Sequence, residues 1–224
     1  MLAKFMGWGL LAAIRLLTGA QARWWGCPPK AEQRIYFANH QSHLDLVMIW
    51  AALPEELRSI TRPIAARDYW ATTPFKRWIT TEVFNAIYVE RGGSAAAAPP
   101  ALEQAAAPQV IPGSAEALAP LQPLIEALRS GDSIIIFPEG TRGNTGVPQK
   151  FKSGLFTLAQ MFPEVVLVPA WIDNVQRVMP KGEVVPVPIL CSVTFGTPIR
   201  LEEGEERRPF LDRAREAVIA LRNV

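Results

Sequence analysis

Two short runs, SIIIF at 133–137 and VVLVPAWI at 165–172, are apolar at nearly every position. A strand with one face in water alternates polar and apolar residues, whereas a strand covered on both faces has no polar side to show. Runs of this kind belong to the inner strands of a sheet with helices on both sides. The stretch RIYFANH reads as a third buried strand, ending at 38 or 39. The chain is therefore expected to be an α/β protein, with a central mostly parallel or mixed sheet flanked by helices.

The remaining pattern fills in the helices and outer strands. LDLVMIWAAL reads as a helix stopped by Pro54, which places both histidines of the chain, His40 and His43, at a strand-to-helix turn. A short strand near RPIAA, a helix around 75–84 and a strand NAIYVE ended by Gly92 and Gly93 follow. Helices are expected near 114–131, at KSGLFTLAQMF and from about 207 to 222, where Leu211, Ala214, Val218 and Leu221 form one apolar face. VVPVPILCSVTFG reads as a late strand, and there is no internal repeat. Residues 94–113 are rich in Ala and Pro, can bury little, and read as a loop inserted within the domain.

With 224 residues and a hydrophobic fraction of 49%, one domain with a full core is the default, here 27–224. Residues 1–26 read as a separate helical segment. Its apolar run from Phe5 to Ile14 is interrupted by Arg15 and is too short for a spanning helix, which needs about 20 residues. At about 100° per residue, Lys4 and Arg15 fall within roughly 20° of each other and form one charged stripe. Beside Trp8, Leu11, Ile14, Leu17, Trp24 and Trp25, this segment suits a helix lying in a lipid headgroup layer; packing on the domain is the competing reading. A net charge of +2 gives no reason to expect nucleic acid. Cys27 and Cys191 match no metal or redox spacing and read as reduced thiols in a reducing compartment.

In NHQSHLD, Ser42 and Asp45 have the spacing of a capping pair, which would hold the Asp45 carboxylate at the start of the helix. His40 precedes the turn and can fold back onto Asp45, fixing its tautomer and leaving the other ring nitrogen as a base. His43 would point roughly 200° away from Asp45 on a helical turn. A metal site built on His40, His43 and Asp45 lacks a further ligand cluster, and a serine nucleophile at Ser42 lacks the G-x-S-x-G elbow. No metal and no bound cofactor are expected. Backbone amides in the turn after Asn39 are candidates for oxyanion donors. A second cluster, FPEGTRG, follows the SIII strand, at the strand end where open α/β sheets bind ligands. There a glycine admits backbone amides to an anion and Arg142 can fork onto phosphate oxygens.

NHQSHLD followed by FPEGTRG resembles the glycerolipid acyltransferase family, whose best-known members are the 1-acylglycerol-3-phosphate acyltransferases. IYVERGG at 87–93 and LVPAWI at 167–172 resemble two further family blocks, so the likeness runs from about 35 to 200. The family's histidine and aspartate are separated by four residues, as are His40 and Asp45. The resemblance implies that His40 deprotonates an acceptor hydroxyl, that Asp45 orients it, and that Arg91, Glu139, Gly140, Thr141 and Arg142 bind the acceptor's glycerol phosphate. It further implies auxiliary positive charge from Lys150 or Lys152 and from Arg67. The sequence departs from the family where relatives often carry two lysines after Ala: here Ala66 takes the first position and Arg67 the second.

The implied activity moves a fatty acyl group from acyl-CoA or acyl-carrier protein to a lysophospholipid hydroxyl, most simply that of 1-acyl-sn-glycerol-3-phosphate, in phospholipid biosynthesis. Glycerol-3-phosphate or an aminoacyl lysolipid as acceptor, and a non-catalytic lipid-binding protein of the same fold, remain as alternatives. The expected partners are a membrane lipid surface, the lysolipid acceptor and the acyl donor. The expected place is the cytoplasmic face of the cell membrane, peripheral or monotopic.

Overall fold

A computed structural model describes residues 2–42, 44–90, 118–143, 146–174 and 189–224. Helix α1 (Leu2–Thr18) leads into strand β1 (Gln21–Trp24), and β2 (Arg34–Ala38) into α2 (Asp45–Ala52). Then come α3 (Glu55–Ser59), β3 (Thr61–Ala66), α4 (Arg67–Trp70), and α5 (Pro74–Trp78), which runs on as a π-helical turn, Ile79–Val83. Strand β4 (Ile87–Val89), α6 (Gln122–Arg129), β5 (Ser133–Ile136), α7 (Gly154–Met161), β6 (Val166–Asp173), β7 (Ser192–Phe195) and α8 (Arg207–Ala220) complete the described elements. The expected loop insertion at 94–113 lies outside the described residues, as does most of the approach to β7.

The strands form one sheet in the order β1-β7-β6-β2-β5-β3-β4, parallel throughout except for the antiparallel pair β6 and β7. All five residues of β2 and all four of β5 are buried, as their continuous apolar character requires. Their side chains divide between two cores. Tyr36, Ala38, Ile135 and Val168 join α1 and α2 on one face; Ile35, Phe37, Ile134 and Leu167 join α6, α7 and α8 on the other. The predicted apolar face of the last helix, from Leu211 to Leu221, is buried in the second core. Cys27 and Cys191 are buried free thiols, as expected of reduced cysteines.

The N-terminal segment differs from expectation. A helical segment to residue 26 is expected, but the helix ends at Thr18, where Gly19 and Ala20 adopt positive φ. Residues 21–24 then pair in parallel with β7, and Trp24 stacks on Phe195 with centroids 4.2 Å apart. Helix α1 itself packs on the domain through Leu10, Leu11 and Ile14. Its opposite face, carrying Trp8, Ala12, Ala13 and Leu16, is exposed. Among the described residues, no helix is long and apolar enough to cross a membrane.

Candidate active site

The parallel register places the two motifs side by side. Phe37 of β2 pairs with Ile136 of β5, so His40 and Glu139, each three residues further along, emerge level from adjacent strands. The chain then turns at both points, and several side chains converge on the His40 turn. Asn39, buried, donates its Nδ2–H to the Ile172 carbonyl (3.0 Å) and accepts from the Ile172 amide at Oδ1 (2.8 Å). These two bonds fasten the turn to β6. The His40 ring stacks on Phe137, with centroids 4.4 Å apart and planes 19° from parallel.

His40 Nδ1 lies 2.9 Å from Asp45 Oδ2. The same oxygen accepts the amides of Gln41 and Ser42, so it is a carboxylate acceptor and Nδ1 must be the protonated ring nitrogen. In the neutral ring Nε2 then carries the free lone pair. The Asp45 side chain is 1% exposed and that of His40 15%, so the carboxylate is sealed while the imidazole still reaches the cleft. Ser42 acts one step earlier than a helix cap would. The helix begins at Asp45, and Ser42 Oγ accepts the Leu44 amide at 3.2 Å within the turn. His43 lies outside the described residues.

Among the described residues of the turn, each backbone amide is already engaged, so none of these is free to hold an oxyanion. Those of Gln41 and Ser42 go to Asp45, and that of His40 donates to Glu139 Oε1 at 2.7 Å. Glu139 likewise departs from its expected place among the phosphate ligands. It is 2% exposed, and its second oxygen, Oε2, accepts the Gln149 amide at 2.7 Å, so both oxygens are engaged by the chain itself. Burial pushes its carboxyl above the ordinary glutamate range, opposed by the two amide bonds.

A cavity of about 520 Å³ opens at this end of the sheet. His40, Glu90, Gly140, Thr141 and Lys152 supply its polar wall. Leu46, Trp70, Leu121, Leu124, Leu155 and Leu158 supply an apolar one. Gly140 has φ +70°, and a Cβ there would meet Lys152 Nζ at 2.6 Å, so the lysine side chain lies directly across the glycine. Ala66, standing where relatives often carry lysine, also lines this cavity and adds no charge.

Of the other expected residues, Arg142 and Lys150 are exposed, on the loop after β5 and at its far end. Arg67 is exposed just beyond β3, its guanidinium carbon 5.9 Å from the centre of the Tyr88 ring. Arg91 lies outside the described residues. No cluster of three or more His, Cys, Asp or Glu suited to a metal occurs among the described residues. Sequence reasoning missed the anchoring by Asn39 and the stacking by Phe137. Both partners are far away in the chain, and neither bond leaves a local pattern.

Comparison with known proteins adds three findings. A family model described as Acyltransferase matches residues 28–173. The chloroplastic 1-acyl-sn-glycerol-3-phosphate acyltransferase LPAT1 of Arabidopsis thaliana is 39% identical over 62 residues, a stretch covering 28% of this chain and 17% of that relative. The crystal structure of the 1-acyl-sn-glycerophosphate (LPA) acyltransferase PlsC from Thermotoga maritima shares the fold, with a TM-score of 0.65 at 20% identity over 99% of this chain and 80% of that one.

Proposed function

Because the chain belongs to the acyltransferase family, we propose that it transfers a fatty acyl group from a thioester donor, acyl-CoA or acyl-carrier protein, to the hydroxyl of a phosphate-bearing lysolipid. The 1-acylglycerol-3-phosphate named for both relatives is the simplest such acceptor. The observation that carries this reading is the His40–Asp45 contact at the wall of a cavity that is apolar on one side and polar on the other, with Lys152 lying across Gly140.

In this mechanism His40 Nε2 takes the proton of the acceptor hydroxyl as its oxygen attacks the thioester carbonyl carbon. The Asp45 carboxylate holds the ring and stabilises the imidazolium that forms. Collapse of the tetrahedral intermediate breaks the carbon–sulfur bond, and the imidazolium returns its proton to the leaving thiolate, giving an ester and a free thiol. Base catalysis of this kind supplies roughly 10² to 10⁴ in rate, and positioning of the two substrates supplies much of the rest. The chain's own residues carry the chemistry, with no cofactor.

We assign the acceptor phosphate to Lys152 and Thr141 on the cavity wall and to Arg142, which follows Thr141 on the exposed loop; Arg91 is assigned the same role by its motif. Lys150 and Arg67 would add positive charge at the periphery. Arg142 presents a bidentate donor and Lys152 a point charge at Gly140. Replacing either Lys152 with Met or Arg142 with Ala should raise the acceptor KM about ten-fold or more while changing the donor KM less than two-fold. Steady-state kinetics varying each substrate in turn decides it; a change confined to the donor KM removes these residues from the phosphate site.

The exposed face of α1 fits peripheral attachment to a lipid surface, the cytoplasmic face of the cell membrane being the reading in accord with reduced thiols. Trp8 is 69% and Leu16 87% exposed, with exposed Arg15 at the margin and Leu190, also exposed, against the helix end at Gly19. Replacing Trp8 and Leu16 together with Ser should lower co-sedimentation with anionic vesicles at least five-fold, with little change towards a short-chain, monomeric acceptor. Unchanged sedimentation places the attachment elsewhere.

A further inference from the structure

The Glu139 carboxylate is buried, yet it touches no cation among the described residues. Instead it faces two backbone N–H groups from segments that meet only in the folded chain. Oε1 takes the amide of His40, and Oε2 takes that of Gln149, just ahead of the Lys152 segment. The His40 carbonyl is held as well, accepting the Gly143 amide at 2.8 Å. The peptide groups on both sides of His40 are therefore bonded to the loop that begins at Glu139. Gly143 makes the arrangement compact, since a Cβ there would lie 3.3 Å from Glu139 Oε2. Lys152 joins the same frame, its amide donating to the Pro138 carbonyl at 2.9 Å.

We infer that Glu139 is a positioning residue: its carboxylate ties the turn carrying the base to the phosphate-binding loop, and thereby fixes the imidazole of His40 relative to the bound acceptor. Only a carboxylate offers an acceptor to each amide. A glutamine of the same shape turns an NH2 group towards one of the two N–H donors, losing one bond and leaving two donors face to face. A residue that instead gripped the acceptor phosphate would not present a second negative charge to an anion. This inference rests on the proposed reaction for its kinetic reading but not for its structural one.

The test is Glu139→Gln, examined in two ways. With His43→Asn in the background, His40 is the chain's only imidazole. Its Nδ1–H, hydrogen-bonded to Asp45, should give a resolved downfield proton resonance by NMR without any substrate. Glu139→Gln is expected to broaden or remove that resonance, and to lower kcat at least ten-fold with the acceptor KM within two-fold. Loss of the resonance in a protein that shows no acyl transfer would uphold the positioning role and reject the proposed reaction. An unchanged resonance and kcat, or a defect confined to acceptor KM, would overturn the inference. Should Glu139→Gln not fold, Gly143→Ala, which crowds Oε2 but keeps the carboxylate, decides the matter: a several-fold lower kcat with acceptor KM retained upholds it, and a rise in acceptor KM alone overturns it.

Discussion

Replacing His40 with Ala is expected to lower acyl transfer by about three orders of magnitude while leaving the fold intact, within the roughly 10² to 10⁴ that a positioned base supplies. The fold survives because the imidazole makes no bond that the turn depends on. The backbone of His40 is held by Glu139 and Gly143, and the Asp45 carboxylate keeps the amides of Gln41 and Ser42. His43→Ala should keep most of the activity, because Asp45 Oδ2 is already paired with His40 Nδ1 and bonded to two amides. Initial rates with saturating donor and acceptor, alongside circular dichroism of each variant, separate the cases. Equal losses from both substitutions would remove the distinction between base and bystander. Activity that required an added divalent metal would replace this mechanism altogether.

Replacing Asn39 with Leu should produce the largest loss of stability near the site. Its amide closes both hydrogen bonds of the Ile172 peptide groups, and all of these atoms are buried. Leucine fills a similar volume but strands one N–H and one C=O, each costing about 1–3 kcal/mol when buried without a partner. The sum, about 2–6 kcal/mol, corresponds to a fall in Tm of roughly 4–24 °C for a chain of this size. Activity should fall with it, even below the new Tm, because the turn that presents His40 loses its attachment to β6. Thermal unfolding and rates at 20 °C measure both effects; a Tm within 2 °C of the parent would show that the turn is held without this side chain.

The parts of the molecule that could be read from its sequence are those whose cause is local. Strands β2, β5 and β6 announce themselves as continuous apolar runs, because both of their faces are covered. The fit of His40 to Asp45 follows from four intervening residues at a strand-to-helix turn, and the 2.9 Å contact answers that expectation. Strand β1 could not be read in this way. Three of its four residues are exposed and it owes its existence to the backbone of β7, 171 residues further along at Gln21 and Ser192, so its tryptophan looked like a membrane anchor. Ser42 and Asp45 have the spacing of a cap, but the helix starts at Asp45 itself and the serine closes the turn before it. Glu139 is a different case. Its motif points to acceptor binding, whereas its partners are amides of His40 and Gln149, brought to it by the pairing of β2 with β5 and by the return of its own loop.

Transfer of an acyl group to a phosphate-bearing lipid by way of the His40–Asp45 pair is the proposed activity. It is tested most directly by giving the purified protein one acyl-CoA and, in parallel, 1-acylglycerol-3-phosphate and the same monoacylglycerol without its phosphate, then quantifying ester and free thiol. One new ester per thiol released is expected, with kcat/KM at least a hundred-fold higher for the phosphorylated acceptor, and loss of both products in His40→Ala. Thiol release without ester, equal use of the two acceptors, or undiminished transfer by His40→Ala would contradict it.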